Sequence, residues 1–141
     1  MTAIALTPRM KNWIEGLGVH LATGSKQIGV PPTIVVVPSC KVDGAVVKFS
    51  LTEAQAAQVA GNLSENDWVA IAPGGLGSVR APYQFKGHGR LVGTELTVQV
   101  TEIYCTKPGP EAAVRLDTMG YEAMKDFEES RWKDMEPPKA G

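Results

Sequence analysis

The sequence predicts a mainly β domain, a small antiparallel barrel with flanking helices, and three observations support this prediction. Short apolar segments separated by turn residues follow one another from Val19 to Tyr104. Asp43-Gly44 is a two-residue hairpin signal, because both residue types tolerate positive φ. Leu96, Val98 and Val100 alternate with polar residues, which is typical of a strand with one solvated face. Strands joined by such turns favour an antiparallel barrel.

The N-terminal segment predicts a short helix followed by the first strand. Thr7-Pro8 supplies an N-cap and a proline at the first helical position. The apolar stripe after this cap consists of Met10, Trp13, Ile14 and Leu17. Gly16 or Gly18 is expected to end the helix, which then covers one end of the barrel. Val19 to Thr23 forms the first strand, and residues 24–30 form an exposed hairpin connection.

The next segment predicts a hairpin of two further strands. Ile34 to Val37 are apolar and β-branched at every position, which indicates a strand covered on both faces, since a strand open to water alternates. The Asp43-Gly44 turn then returns the chain antiparallel through Ala45 to Ser50. In so small a barrel, the second covered face requires a partner.

A short helix is expected between the third and fourth strands. Thr52 and Gln55 have the spacing of a capping box, in which each side chain accepts the backbone N–H of the other residue. Gly61-Asn62 is expected to end this helix. A helix N-terminus at the end of a strand stabilises a phosphate through unpaired N–H groups and the helix dipole. The simpler interpretation is that Thr52 only caps a surface helix.

The second half of the chain predicts three more strands and a C-terminal helix. Trp68 to Ala72 and Tyr83 to Leu91 are strands around a glycine-rich loop over residues 73–82, and Gly87 and Gly89 are expected bend or bulge points. The helix spans about residues 117–135, with an apolar stripe of Tyr121, Met124, Phe127 and Trp132. Its carboxylates are interpreted as a solvated face formed by Glu122, Asp126, Glu128 and Glu129.

Composition limits the classes of function. A chain of 141 residues predicts one domain, and a net charge of −1 without a basic cluster argues against nucleic acid. The sequence has no apolar run of the ~18 residues that span a bilayer and no leader pattern, so a cytoplasmic location without membrane contact is expected. Cys40 and Cys105 are expected to be buried thiols rather than a disulfide. No metal site is expected, because no cluster has ligand spacing.

Side-chain catalysis is also disfavoured by the residues available. His20 and His88 are the only histidines, and neither the serines nor the cysteines lie in a nucleophile elbow. If the protein performs chemistry, a cofactor therefore carries it, and the protein positions that cofactor and tunes its electronics.

The order of these segments resembles the FMN-binding split barrels, the pyridoxamine phosphate oxidase-like family. The matching segments are Leu21-Ala22-Thr23, Gly29 to Thr33, Val46 to Ser50 before the Thr52 helix, Asp67 to Ile71 and Tyr83 to Leu91. Together they cover most of the chain, from about Val19 to Tyr104. The resemblance implies a single split-barrel domain over residues 1–141 that assembles as a homodimer and binds FMN at the subunit interface.

The resemblance also implies the residues of the flavin site. The ring or ribityl chain is expected along Thr33, Val35 and Val37, although the alternation of these residues equally predicts a core position for both valines. The phosphate is expected at the strand-to-helix corner formed by Ser50, Leu51, Thr52 and Gln55, with Ser39 nearby. Members of the family commonly carry a Lys or Arg in this phosphate loop, whereas Leu51 or Thr52 stands there in this chain.

Three hypotheses of function follow from the resemblance. The first is a small FMN-dependent oxidoreductase or electron-transfer protein that acts on a redox partner or a small-molecule substrate. The second is the same fold binding the deazaflavin F420 or another cofactor. The third is a non-catalytic binding protein or structural dimer, in which the apolar second face serves assembly alone. The sequence does not name a substrate, because one scaffold of this kind supports many activities.

Overall fold

The computed structural model describes residues 4–16, 18–74, 81–107 and 109–132. Three α-helices are described: α1 (Pro8–Gly16), α2 (Glu53–Glu65) and α3 (Tyr121–Arg131). The seven strands are β1 (Val19–Thr23), β2 (Thr33–Val37), β3 (Cys40–Asp43), β4 (Val46–Ser50), β5 (Trp68–Pro73), β6 (Tyr83–Val92) and β7 (Glu95–Cys105). A short 3-10 turn, Asp117–Met119, precedes α3.

All seven strands belong to one antiparallel sheet in the order β2-β1-β5-β6-β7-β4-β3. The two edge strands, β2 and β3, follow each other in the chain and are joined only by Pro38 and Ser39. Three steps of about 3.8 Å separate the Cα atoms of Val37 and Cys40, so opposite edges of the sheet approach within about 11 Å at this end. The sheet is therefore curled into a half-closed barrel, which confirms the predicted antiparallel split barrel with flanking helices.

The predicted hairpin after Val37 is wrong in its pairing, because β3 was missed. β3 pairs with β4, whereas β2 pairs with β1, at the other edge of the sheet. Asp43 lies opposite Val46, so the two turn residues are Gly44 and Ala45, and Gly44 has a φ of 62°. The extra strand also places α2 between the fourth and fifth strands instead of the third and fourth.

Each edge strand is covered by a helix that hydrogen-bonds its backbone. On β2, the Gln55 side chain donates from Nε2 to the Val36 carbonyl oxygen at 2.8 Å. On β3, the Glu15 carboxylate of α1 accepts the Val42 N–H at 2.7 Å. Exposed strand edges offer unpaired backbone groups to other chains, and these two contacts occupy such groups.

The helix α2 continues past the predicted stop at Gly61-Asn62 and ends at Glu65. Asn62 lies inside the helix rather than at its end. Its side-chain amide donates hydrogen bonds to the hydroxyls of Thr23 and Thr33, both at 3.0 Å. Its carbonyl oxygen accepts the N–H of Asn66, which forms the C-cap. These tertiary bonds outweigh the weak helix propensity of a Gly-Asn pair.

The predicted irregularity at Gly87 is confirmed as a β-bulge between β6 and β7. Lys86 pairs with Glu102 and Gly87 pairs with Val100, so Thr101 is the extra residue. A Cβ at Gly87 would lie 2.0 Å from the Gln99 carbonyl oxygen, which makes glycine necessary at this approach of two backbones.

The core fills the inner face of the curled sheet and includes buried side chains of α1, α2 and α3. Val35 and Val37 of β2 are buried there, whereas Ile34 on the opposite face is 60% exposed. Within one chain, the β2 strand is therefore covered on one face, and a second copy over the other face remains a prediction. Cys40 and Cys105 are buried free thiols, as expected.

The interpretation of Glu128 as part of a solvated face is wrong. Glu128 is 3% exposed, and its carboxylate accepts hydrogen bonds from the hydroxyls of Thr7, at 2.9 Å, and of Tyr83. Because Glu128 sits four residues after Met124, it lies on the buried stripe of α3. Glu122, Asp126 and Glu129 are exposed.

Some predicted features lie wholly or partly outside the described residues. These are most of the glycine-rich loop over 73–82, Leu17 in the stripe of α1, and the end of the predicted C-terminal helix beyond residue 132.

Candidate functional site

The strand-to-helix corner predicted to hold a phosphate has the expected capping box. Thr52 Oγ1 accepts the Gln55 N–H, and Gln55 Oε1 accepts the Thr52 N–H, both at 3.1 Å. Because Gln55 Nε2 also donates to Val36, every polar group of these two side chains has an acceptor or donor within the chain. The corner is thus stabilised by its own residues, and Glu53 and Ala54 supply the remaining N–H groups of the first turn.

The charged side chains next to this corner are acidic. Glu53 is the acidic residue of the first turn of α2. The Ser50 hydroxyl is oriented toward Glu95, with 3.4 Å between Ser50 Oγ and Glu95 Oε1. Among the described residues, no Lys or Arg forms an ion pair or hydrogen bond with Ser50, Thr52 or Gln55.

The structure brings the two halves of the predicted flavin site together through α2. Gln55 at its first turn reaches Val36, and Asn62 two turns later reaches Thr33, so the helix lies along β2. The side chains differ in access: Ser39, Ser50 and Thr52 are exposed, Thr33 and Gln55 are half-buried, and Leu51, Val35 and Val37 are buried. A ligand along β2 would therefore meet Ile34 and Val36 rather than Val35 and Val37.

The outer face of the sheet carries two grooves that the sequence prediction did not include. One row across the strands places Ala22, Ala70, Lys86 and Glu102 side by side. The next row places Trp68, His88, Gln99 and Val46 side by side. Nearly all of these side chains are half-buried, which is unusual for the solvent side of a sheet, because neighbouring side chains wall off two concave surfaces.

The first concavity, here called the Trp68 groove, encloses about 420 Å³. Its floor is flat because Ala22 and Ala70 are neighbours in β1 and β5. Trp68 and Lys86 stand on this floor, with the Lys86 ammonium 4.8 Å from the centre of the Tyr104 ring. The remaining lining residues are Thr23, Gly24, Pro32, Asn66, Val69 and Glu102. A volume of this size is within the usual range of small-molecule sites.

The second concavity, here called the Arg90 groove, encloses about 480 Å³ on the other side of Trp68. Its lining residues are Val46, Asp67, His88, Gly89, Arg90, Thr97 and Gln99. Between the two grooves stands an aromatic pair, Trp68 and His88, whose ring centres are 4.4 Å apart and whose planes are inclined by 35°. His88 Nδ1 lies 2.9 Å from Asp67 Oδ1, so the ring is oriented by one ring contact and one hydrogen bond.

The buried carboxylate Glu128 is a structural group rather than part of a groove. Desolvation raises its pKa, partly opposed by the hydrogen bonds from Tyr83 and Thr7. Burial, and then the negative charge of Glu128, raise the pKa of the Tyr83 hydroxyl, which keeps this hydroxyl a donor. The cysteines are equally unreactive, since burial raises the pKa of the Cys40 thiol to about 12 and also raises that of Cys105.

The sequence contains a signal for the outer face that the prediction did not use. In β6, Gln84, Lys86, His88 and Arg90 alternate with Tyr83, Phe85, Gly87 and Gly89, so all four polar residues share one face. Their partners on β7 change phase at the bulge, because Val100 and Thr101 are both buried. Glu102 and Tyr104 therefore face outward with Gln99, which no single strand pattern predicts.

Comparison with solved structures supports the fold. A 1.70 Å crystal structure of tagged HupZ from Group A Streptococcus has a TM-score of 0.55 and 18% identity over 76% of this chain and 98% of its own. A 1.98 Å structure of a single-residue variant of HupZ has a TM-score of 0.53 and 18% identity over 70% and 97%. At this identity, the likeness shows a shared fold alone.

No protein-family model and no curated protein sequence matches the chain. Among the described residues, no helix is both long and apolar enough to cross a bilayer. The same residues contain no group of three or more His, Cys, Asp or Glu side chains that could hold a metal ion.

Proposed function

We propose that this chain is a flavin-binding protein of the split-barrel class and that FMN is bound in the Trp68 groove. The flat floor between Ala22 and Ala70, walled by Trp68 and Lys86, carries the proposal. Small residues on adjacent strands leave room for a planar ring, and an indole offers it a stacking surface. Lys86 offers the phosphate a cation, whereas no Lys or Arg among the described residues is bonded to Ser50, Thr52 or Gln55.

The chemistry proposed for this site is that of the flavin, which transfers electrons when bound. The protein acts as a small oxidoreductase or electron-transfer protein, and its own residues hold the ring and exclude water from one face. The predicted site along β2 and at the corner of Ser50 to Gln55 remains the competing position for the same ligand. We further propose a cytoplasmic location, with which two buried free thiols are consistent.

Titration with FMN and riboflavin tests the ligand and its position together. Lys86→Met should weaken FMN about tenfold or more and leave riboflavin unchanged, because only FMN has a phosphate to lose a charged contact. Lys125→Met, on α3 and outside the lining of both grooves, is the matched control. Thr52→Ala should lower stability by ~1 kcal/mol through loss of the cap without changing the ratio of the two affinities.

Two results would move or remove the proposed site. The phosphate lies at the corner if Thr52→Ala narrows the difference in affinity between FMN and riboflavin. The same follows if Leu51→Lys widens that difference while Lys86→Met leaves it unchanged. If the protein takes up neither compound, the flavin proposal fails. A parallel titration with F420 then tests the second cofactor, and binding of none favours the structural dimer.

The homodimer is the second candidate, and exposed Ile34 favours it. With 60% exposure, Ile34 continues the apolar outer face formed by Ala22 and Ala70 on neighbouring strands. A permanent interface on this face would bury about 2,000 Å² or more in total. Sedimentation should then show a dimer at micromolar concentration, and Ile34→Glu should dissociate it, whereas Val92→Glu at another exposed apolar residue should not. A wild-type monomer would exclude this assembly.

A further inference from the structure

The Arg90 groove contains a cation that the fold does not use. Arg90 is exposed on β6. No carboxylate among the described residues pairs with its guanidinium. By contrast, Lys48 on β4, two strands away in the sheet, is paired with Asp43, with Nζ and Oδ2 3.9 Å apart. Thr97 lies between them in the sheet, opposite both Lys48 and Arg90.

Uncommitted hydrogen-bonding groups lie next to this cation. Thr97 and Gln99 point from β7 into the same groove. In the described parts of the chain, neither their hydroxyl nor their amide makes a side-chain hydrogen bond. A planar guanidinium beside a hydroxyl and an amide is a typical donor set for an oxyanion.

The opposite wall of the groove is held in place by the loop before β5. The Asp67 carbonyl oxygen accepts the Gly89 N–H at 2.7 Å, and the Asp67 side chain fixes the His88 ring. With Nδ1 directed at Asp67, the other ring nitrogen, Nε2, has no hydrogen-bond partner in the portion of the chain that the structure describes. A polar substituent on a ligand would find a fixed partner there.

The charges of the groove select the valence of the ligand. Arg90 contributes one positive charge to the lining, and the Asp67 carboxylate, which is hydrogen-bonded to His88, contributes one negative charge. One uncommitted cation balances a monoanion better than a dianion. Val46 adds an apolar side chain to this lining, which a short hydrocarbon body can contact.

We propose that the Arg90 groove binds a small monocarboxylate, with its carboxylate on the Arg90 guanidinium and hydrogen-bonded by Thr97 and Gln99. The site is separate from the Trp68 groove and does not require a flavin. The Trp68–His88 pair forms the shared wall, so a carboxylate ligand and a ligand of the Trp68 groove would lie side by side.

Benzoate is a suitable probe, with benzamide as its neutral isostere and phenyl phosphate as its dianionic analogue. Titration of the full isotope-labelled chain by NMR, without flavin, should shift the amides of Gly89 and Arg90 and the side-chain amide of Gln99. Benzoate should bind more tightly than benzamide. Arg90→Gln should weaken benzoate about tenfold or more, because a hydrogen-bonded charge pair is lost. Arg131→Gln on α3 should leave benzoate binding unchanged.

Several results would overturn the proposal. Absence of shifts at the groove with benzoate excludes the site. Equal benzoate affinity of Arg90→Gln and the wild type excludes Arg90 as the anchor, provided that the other amide signals show a folded variant. Tighter binding of phenyl phosphate than of benzoate excludes a monocarboxylate. Because flavin is absent throughout, these results are independent of the FMN titration, and either proposal can fail alone.

Discussion

Two carboxylates of this molecule bind neighbouring side chains in opposite surroundings. Glu128 is 3% exposed and accepts hydrogen bonds from Thr7 and Tyr83. Asp67 has a side chain that is 58% exposed and pairs with His88 at 2.9 Å. The first connects three distant segments of the chain, whereas the second orients one ring at the edge of a groove.

The difference in burial separates a polar contact that holds the fold together from one that lies at a surface open to a ligand. A buried carboxylate that loses its donors retains a large desolvation cost. Glu128 therefore cannot exchange Thr7 and Tyr83 for other partners without destabilising the fold. A solvated carboxylate exchanges partners at little cost, since water replaces whatever is lost. The groove residues around Asp67 can therefore accept a ligand without disturbing the fold.

The largest expected effect is that of Glu128→Ala on stability. The substitution leaves the hydroxyls of Thr7 and Tyr83 buried without an acceptor and creates a cavity, so the free energy of unfolding should fall by about 3 kcal/mol. Asp126→Ala, on the exposed face of the same helix, is the control and should change it by less than about 0.5 kcal/mol. Urea unfolding measures both, and equal effects would contradict the structural role of Glu128.

A second prediction concerns the pH dependence that Glu128 contributes. Because its folded-state pKa is raised, the folded protein binds a proton there more tightly than the unfolded chain does. This contribution to stability is complete below the ordinary value of 4.5 and is lost as pH rises through the folded pKa. The difference in unfolding free energy between wild type and Glu128→Gln should therefore decline across that interval. A difference that is constant with pH would refute the shift.

The smallest effect on stability is expected at Asp67. Asp67→Asn removes the charge of one exposed carboxylate beside His88 and should lower the unfolding free energy by no more than ~1 kcal/mol. Asp43→Asn, which removes the exposed ion pair with Lys48, should have a similar effect. The two variants should differ in ligand binding, because only Asp67 orients His88. If Asp67→Asn destabilises the protein as much as Glu128→Ala, the contrast between the two carboxylates is lost.

Local sequence patterns predicted most of the strands, whereas the features that were missed depend on partners distant in the sequence. Val19 to Thr23 and the Thr52 capping box depend on neighbours a few residues away, and the structure contains both as predicted. Cys40 to Asp43 has too short an alternation to be recognised between two turns. Glu128 follows the period of a surface helix, and its partner Thr7 is 121 residues distant in sequence.

The grooves were missed for a related reason. The alternation of polar residues in β6 shows that Lys86, His88 and Arg90 share a face, but the residues beside them depend on strand register. That register includes a bulge, at which β7 changes the face of every later side chain. The sequence shows Gly87, which permits the bulge, but it does not show that the Gln99 carbonyl oxygen approaches this residue.

The two-residue link between the edge strands has a consequence for how the chain folds. β2 joins the sheet through the pairing of β1 with β5, and β3 joins it through the pairing of β4 with β7. Both pairings close loops that contain several other elements, whereas β6 and β7 form a local hairpin. Such high contact order is typical of folding in milliseconds to seconds. We therefore expect local hairpins such as β6–β7 to form before these long-range pairings, and Pro38-Ser39 to be ordered last, when both edges are in place.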